Sequence, residues 1–216
     1  MLFISLPWRR LVHALLTPVS CSPLSQGPGS SIARMSTAGM QPGGDSFYYF
    51  AYGSNLLKER ILLDNPTAAF HSIALLKNFR LAFGSHMSHH NSRWHGGAAT
   101  VVESEGDEVW GVVWKMGISS LNSLDLQEGV HLGIYEPIEI NVQTEGGDLI
   151  CRCYQMNKCV YRATSPQYKQ VLCMGAKQNN LPLQYQKMLE DLETNNYSGP
   201  MPIMDRLMDA IKKNTG

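Results

Sequence analysis

Apolar and polar positions alternate with the period of strands through the middle of this chain and with the period of helices toward its end. Residues 47–50 are β-preferring without polar interruption, as in a strand covered on both faces. Ser54 and Asn55 read as N-caps of a helix over residues 56–63, closed by Asn65-Pro66. Residues 71–77 and 79–83 read as two strands split at Asn78. Residues 98–103 and 108–116 flank Ser104-Glu105-Gly106-Asp107, a hairpin signal. A short helix carrying Leu121, Leu124 and Asp125, capped by Ser119 or Ser120, stops at Glu128-Gly129. Residues 135–143 and 149–156 predict a second hairpin around Glu145-Gly146-Gly147. Ser165-Pro166 opens a helix with proline at the favoured first position, and helical patterns recur near 183–192 and 204–213. Antiparallel hairpins with interspersed and trailing helices predict an α+β domain.

Composition narrows the picture. The 216 residues suffice for one domain with an appendage, and 44% hydrophobic residues can fill a sizeable core. Eighteen basic and eighteen acidic side chains cancel, so neither nucleic acid nor an anionic membrane is expected as partner. No apolar run approaches the roughly 20 residues that span a bilayer. The odd cysteine count, with Cys151, Cys153, Cys159 and Cys173 in the body, predicts reduced thiols and a cytoplasmic protein. Residues 1–46 differ from the rest: Arg9, Arg10 and Arg34 sit among many Ser, Pro and Gly, with no acidic residue before Asp45. They read as a disordered extension ahead of a catalytic domain over 47–216, or as a transit peptide that would send the protein to mitochondria.

The strand–turn–helix corner at Tyr52-Gly53-Ser54-Asn55 places backbone N–H groups where they can meet a carboxylate or an oxyanion. An ordinary structural corner has the same local pattern. With Trp94-His95-Gly96-Gly97, Gly106-Asp107-Glu108-Val109-Trp110-Gly111, Leu124-Asp125-Leu126-Gln127-Glu128-Gly129, Ser165-Pro166-Gln167-Tyr168-Lys169 and Cys173-Met174-Gly175-Ala176-Lys177, the chain resembles the γ-glutamylcyclotransferases, collinearly over residues 47–192. The family's fold, a small mixed or antiparallel β-barrel with peripheral helices, is what this resemblance implies here. So is a homodimer acting on a small γ-glutamyl amino acid without a cofactor. Tyr-Gly-Ser-Asn, rather than Tyr-Gly-Thr-Leu, points to γ-glutamyl amino acids instead of γ-glutamylamines. Sister enzymes acting on glutathione or γ-glutamyl-lysine share the chemistry, and a catalytically silent binding or scaffold homologue is the reading from another class.

In the implied reaction the substrate's α-amine attacks its own γ-carbonyl, releasing 5-oxoproline and an amino acid. One carboxylate can take the amine's proton and return it to the leaving nitrogen if burial raises its pKa. Glu128 matches the family's catalytic Glu-Gly; read locally it is a solvated helix-end carboxylate. The resemblance assigns substrate binding to Tyr49, Phe50, Ala51, Tyr52, Gly53 and Ser54, with Gly53 and Ser54 as N–H donors, and to Tyr168, Tyr135 and Tyr154. Ser54 as a nucleophile is the rival reading, though cyclisation requires no acyl-enzyme. Asp125 reads as structural. His86, His89, His90 and His95 lack a supporting cysteine or carboxylate, so no metal is expected. Leu126 stands where the family leads one to expect a charge, and Asn157-Lys158-Cys159-Val160-Tyr161 reads as an exposed loop.

Overall fold

In the computed structural model, which describes residues 44–87 and 93–215, two long strands carry the architecture. Positions 1–43, nearly all of the expected extension, lie outside the described residues. Strand β1 (Ser46–Ala51) lies antiparallel to β3 (Ala98–Gly117), with Phe47 opposite Met116 and Ala51 opposite Val112. Strand β2 (Ala69–His86) runs antiparallel to β3 along most of its length. The hairpin of β4 (Tyr135–Thr144) and β5 (Gly147–Met156) touches β1 through β5 and β2 through β4. The order β3-β1-β5-β4-β2, with β2 again paired to β3, closes a five-strand barrel. This is the mixed barrel that the sequence predicts, and β1 inside it is buried at Phe47, Tyr49, Phe50 and Ala51.

Four local expectations fail. Residues 71–77 and 79–83 form one strand, and the hairpin expected at Ser104–Asp107 is a wide bulge in β3. The register jumps from Lys77 opposite Glu108 to Phe79 opposite Glu103. Asn78 takes φ +60°, Gly106 takes φ +81°, and the Gly106 N–H donates to Asn78 Oδ1 at 3.1 Å. The turn chemistry was read correctly, but both flanks pair with the same partner strand, so the chain bulges instead of reversing. Cys159–Tyr161, expected as a loop, is a short strand β6 on the outer edge of β2, opposite Gly84, Ser85 and His86. Ser54 and Asn55 do not cap a long helix: Ser54–Leu56 is a 3₁₀ turn, Leu57 is extended, and α1 covers only Lys58–Leu62. The Asn55 side chain is engaged elsewhere.

Helix α2 (Leu121–Gln127) ends at Glu128, followed by Gly129 at φ +67°, as the Glu-Gly pair predicts. Helix α3 (Pro166–Gln178) begins as expected, with the Tyr168 N–H donating to Ser165 Oγ at 3.2 Å. Tyr168, Val171, Leu172, Gly175 and Ala176, at helical spacing, form its buried face. Helices α4 (Leu183–Glu190) and α5 (Pro202–Thr215) follow. Gly175 lets α3 approach the turn after Ser54: a methyl group there would lie 2.6 Å from Leu56 Cβ and from the Leu57 nitrogen. Gly175→Ala is therefore expected to lose about 1–3 kcal/mol in urea unfolding, overpacking outweighing the gain in helix propensity. An unchanged midpoint would show that α3 can move aside freely.

Candidate active site

The tyrosines and Glu128 converge on two adjoining cavities, of about 320 Å³ and about 40 Å³, both lined by Ser54, Glu128, Tyr135 and Tyr168. Tyr49, Tyr52, Gly53 and Tyr154 complete much of the smaller one. Phe50 and Ala51, expected beside the substrate, line neither cavity; they are wholly buried, with the Phe50 ring against Gly111 of β3. Strand alternation turns Phe50 away from the face that Tyr49 presents, and Ala51, at the end of β1 opposite Val112, is covered by the core as well.

Glu128 is held from one side. Its Oε1 accepts from Asn55 Nδ2 and from Gln127 Nε2, each at 3.2 Å. Asn55 Nδ2 also donates to Tyr49 Oη at 3.1 Å, and Gln127 Nε2 to Asn55 Oδ1 at 3.1 Å. Behind them Asn65 Nδ2 donates to Gln127 Oε1 at 2.9 Å, and Ser123 Oγ to Asn65 Oδ1 at 2.8 Å. This amide chain fixes one carboxylate oxygen and leaves Oε2 without a hydrogen bond among the described residues. Burial raises the Glu128 pKa above the ordinary carboxylate value, opposed by the positive fields of Arg60 and Arg93 and by the two amide donors. Its surface is only partly covered because the carboxylate faces the cavities.

The surrounding phenols are neutral. Burial holds Tyr49, Tyr52 and Tyr135 well above their ordinary value and pushes Tyr168 up to about 12. Glu128 is thus the one carboxylate lining the smaller cavity among the described residues, set in a wall of protonated hydroxyls. Tyr168 Oη accepts the Ala99 N–H at 3.1 Å and the Ser54 N–H at 3.3 Å, so its own proton is left for a ligand. The Ser54 N–H, expected as a substrate donor, donates to that hydroxyl in this structure. Tyr135 Oη donates to Ala99 O at 2.7 Å. Trp94 stands edge-on to Tyr168 at 4.9 Å, and Gly96 and Gly97 allow this loop to press against Arg162–Ser165. Tyr168→Phe would orphan two inward-facing N–H groups and is expected to cost about 1–3 kcal/mol in chemical denaturation, with weaker substrate binding. Equal stability of the two proteins would mean that water replaces the hydroxyl.

Beneath Tyr154 lies a buried ion pair absent from the sequence reading except for its aspartate. Arg152 Nη2 donates to both Asp125 oxygens at 2.8 and 3.0 Å, and Arg152 Nε to Tyr154 Oη at 2.8 Å. The Tyr154 hydroxyl donates in turn to Asp125. Asn55, Gln127, Arg60, Arg93, Ala99 and Arg152 were given no site role by the sequence; Asn55 carried a signal as the last residue of the Tyr-Gly-Ser-Asn turn, and Gln127 as the residue before Glu128 in its motif.

The histidines disperse. His86 is buried in the wall of the larger cavity, and His95 is exposed and stacked on Tyr197 at 4.3 Å. His89 and His90 lie outside the described residues, and no group of three or more metal-ligating side chains assembles among those described. Cys151 and Cys153 are buried as thiols, Cys151 pushed up to about 12 by burial.

Residues 108–189 match the family model of the AIG2-like family. A γ-glutamylcyclotransferase of Bos taurus is 56% identical over 171 residues, 79% of this chain and 90% of its own. That of Homo sapiens is 53% identical over 173 residues, 80% of this chain and 91% of its own. A solved structure described as gamma-glutamyl cyclotransferase superposes with a TM-score of 0.73 at 52% identity, covering 76% of this chain and 99% of that one. Identity of this order across nine-tenths of the relatives, on the same barrel, places the chain in the γ-glutamylcyclotransferase family.

Proposed function

We propose that the protein converts γ-glutamyl amino acids to 5-oxoproline and a free amino acid, with Glu128 as the single acid/base. The observation that carries this is the Glu128 carboxylate itself. One of its oxygens is clamped by Asn55 and Gln127, the other is open at the junction of the two cavities, and burial raises its pKa. The γ-glutamyl half takes the smaller, tyrosine-lined cavity and the leaving amino acid the larger. Glu128 takes a proton from the α-ammonium, and the freed amine attacks the γ-carbonyl to form the ring C–N bond. A second proton leaves the same nitrogen as the lactam forms, and Glu128 passes a proton to the departing nitrogen as the original C–N bond breaks. The amino acid leaves as its ammonium form; two protons move from the α-nitrogen to the leaving nitrogen, and no water is consumed. The Tyr168 hydroxyl, its oxygen already accepting two N–H groups, donates to a substrate oxygen. Tyr49, Tyr52, Tyr135 and Tyr154 exclude water around the ring that forms.

A cytoplasmic homodimer belongs to the same proposal. The family resemblance supports the dimer, and free thiols at Cys151, Cys153, Cys159 and Cys173 support a reducing compartment.

The test measures 5-oxoproline from γ-glutamyl-alanine, glutathione and γ-glutamyl-lysine, together with free alanine from γ-glutamyl-alanine and from N-acetyl-γ-glutamyl-alanine. Release from the first and none from the acetylated analogue, whose nitrogen cannot attack, is the expected pattern. Cleavage of the acetylated analogue would point to Ser54 as a nucleophile. Silence on every substrate from folded protein would favour a binding homologue.

A further inference from the structure

The larger cavity is asymmetric in charge. Besides Glu128, the cavity is lined by two guanidinium groups, Arg60 and Arg93, and by the His86 imidazole. Arg60 is buried and already paired, its Nη1 lying 3.1 Å from Asp64, which also faces Arg206 at 3.8 Å. Arg93 is exposed at the cavity wall and makes no ion pair with any described residue. Its field reaches Glu128, which places the guanidinium within electrostatic range of the reacting centre. The same cavity carries apolar side chains: Leu126 and Leu132, each 52% exposed, with Ile134 and Met156.

Resting on the function proposed above, we infer that Arg93 is a specificity-determining residue that receives the α-carboxylate of the leaving amino acid, whose side chain lies along the Leu126–Leu132 wall. A leaving amino acid varies in its side chain, and its constant charged group is that carboxylate. A guanidinium that pairs with no described carboxylate, in a cavity that also presents apolar side chains, matches that ligand: it binds a planar anion in bidentate fashion while the rest stays dry. Arg60 serves less well, because it is buried and one of its guanidinium nitrogens is already held by Asp64.

The experiment compares γ-glutamyl-alanine with γ-glutamyl-alaninamide, which lacks only the leaving carboxylate, and with the analogue amidated at the glutamyl α-carboxylate. Wild type is expected to favour γ-glutamyl-alanine over its alaninamide in kcat/KM on the order of tenfold, mostly through KM, as for a charge-assisted hydrogen bond. In Arg93→Gln that ratio should fall to within about twofold, and Arg93→Lys should restore part of it. A ratio that persists in Arg93→Gln overturns the inference, as does a loss of preference at the glutamyl α-carboxylate instead. If wild type cyclises none of the three, releasing neither 5-oxoproline nor, from the last analogue, 5-oxoprolinamide, the inference falls together with the proposed function; the preceding outcomes overturn the inference alone.

Discussion

Glu128→Gln should lower kcat for 5-oxoproline release by about 10²–10⁴-fold, the usual contribution of a positioned acid/base. The amide oxygen of Gln can still accept from Asn55 and Gln127, so the side chain keeps its place and only proton exchange is lost. The variant also makes a separate stability prediction. Burial raises the folded-state pKa of Glu128 above its unfolded value, so the folded protein holds this proton more tightly than the unfolded chain. The resulting stability is complete below the unfolded glutamate value, about 4.3, and is lost as pH rises through the folded value. Gln carries no such penalty. Thermal unfolding against pH should show the Tm of the variant gaining on wild type as pH rises through that window. The wild-type kcat should have an acid limb displaced upward from ordinary glutamate, and the variant should lack it. A variant that keeps its activity would move the base elsewhere, and a Tm difference independent of pH would mean that Glu128 is ionised without penalty.

Asp125→Ala should be the most destabilising single change near the site. Arg152 is 3% exposed, and losing Asp125 leaves its guanidinium buried without its anion and frees the Tyr154 hydroxyl. Breaking one half of a buried pair costs 3–5 kcal/mol; about 3 kcal/mol is expected here, because Asp125 is itself 28% exposed and water can reach the gap. Tyr154 packs edge-on against Tyr49 at 5.8 Å, so KM should rise as well. Adding Arg152→Met should recover much of the stability by removing the stranded charge. Urea unfolding of the two variants decides it: an Asp125→Ala midpoint equal to wild type would show that the pair contributes nothing.

The two networks explain why parts of the site were hidden from sequence. Ser54 and Asn55 have good capping chemistry, and a local reading assigns both to a helix start. In the fold, the Asn55 amide bonds Tyr49 and Glu128, partners at separations of 6 and 73 residues. Gln127 and Arg152 looked like ordinary polar positions in a helix and a strand, because nothing local tells which way they point. The bulge at Asn78 and Ser104–Asp107 was misread for a similar reason: turn residues mark a departure from regular pairing, and the partner strand decides whether it becomes a hairpin or a bulge.

By itself the sequence determined the elements whose signals are local. These are the β4–β5 hairpin with its Gly146-Gly147 turn, the Ser165-Pro166 start of α3 and the Glu128-Gly129 end of α2. Through collinear motifs it also determined the family and the position of the acid/base candidate. Tertiary structure alone decided that Glu128 is desolvated, that Asn55 and Gln127 hold one of its oxygens, and that Arg93 lines the adjoining cavity with no ion pair to a described residue. Desolvation, field and hydrogen-bond geometry depend on atoms brought together from distant segments, and no local pattern encodes that distance.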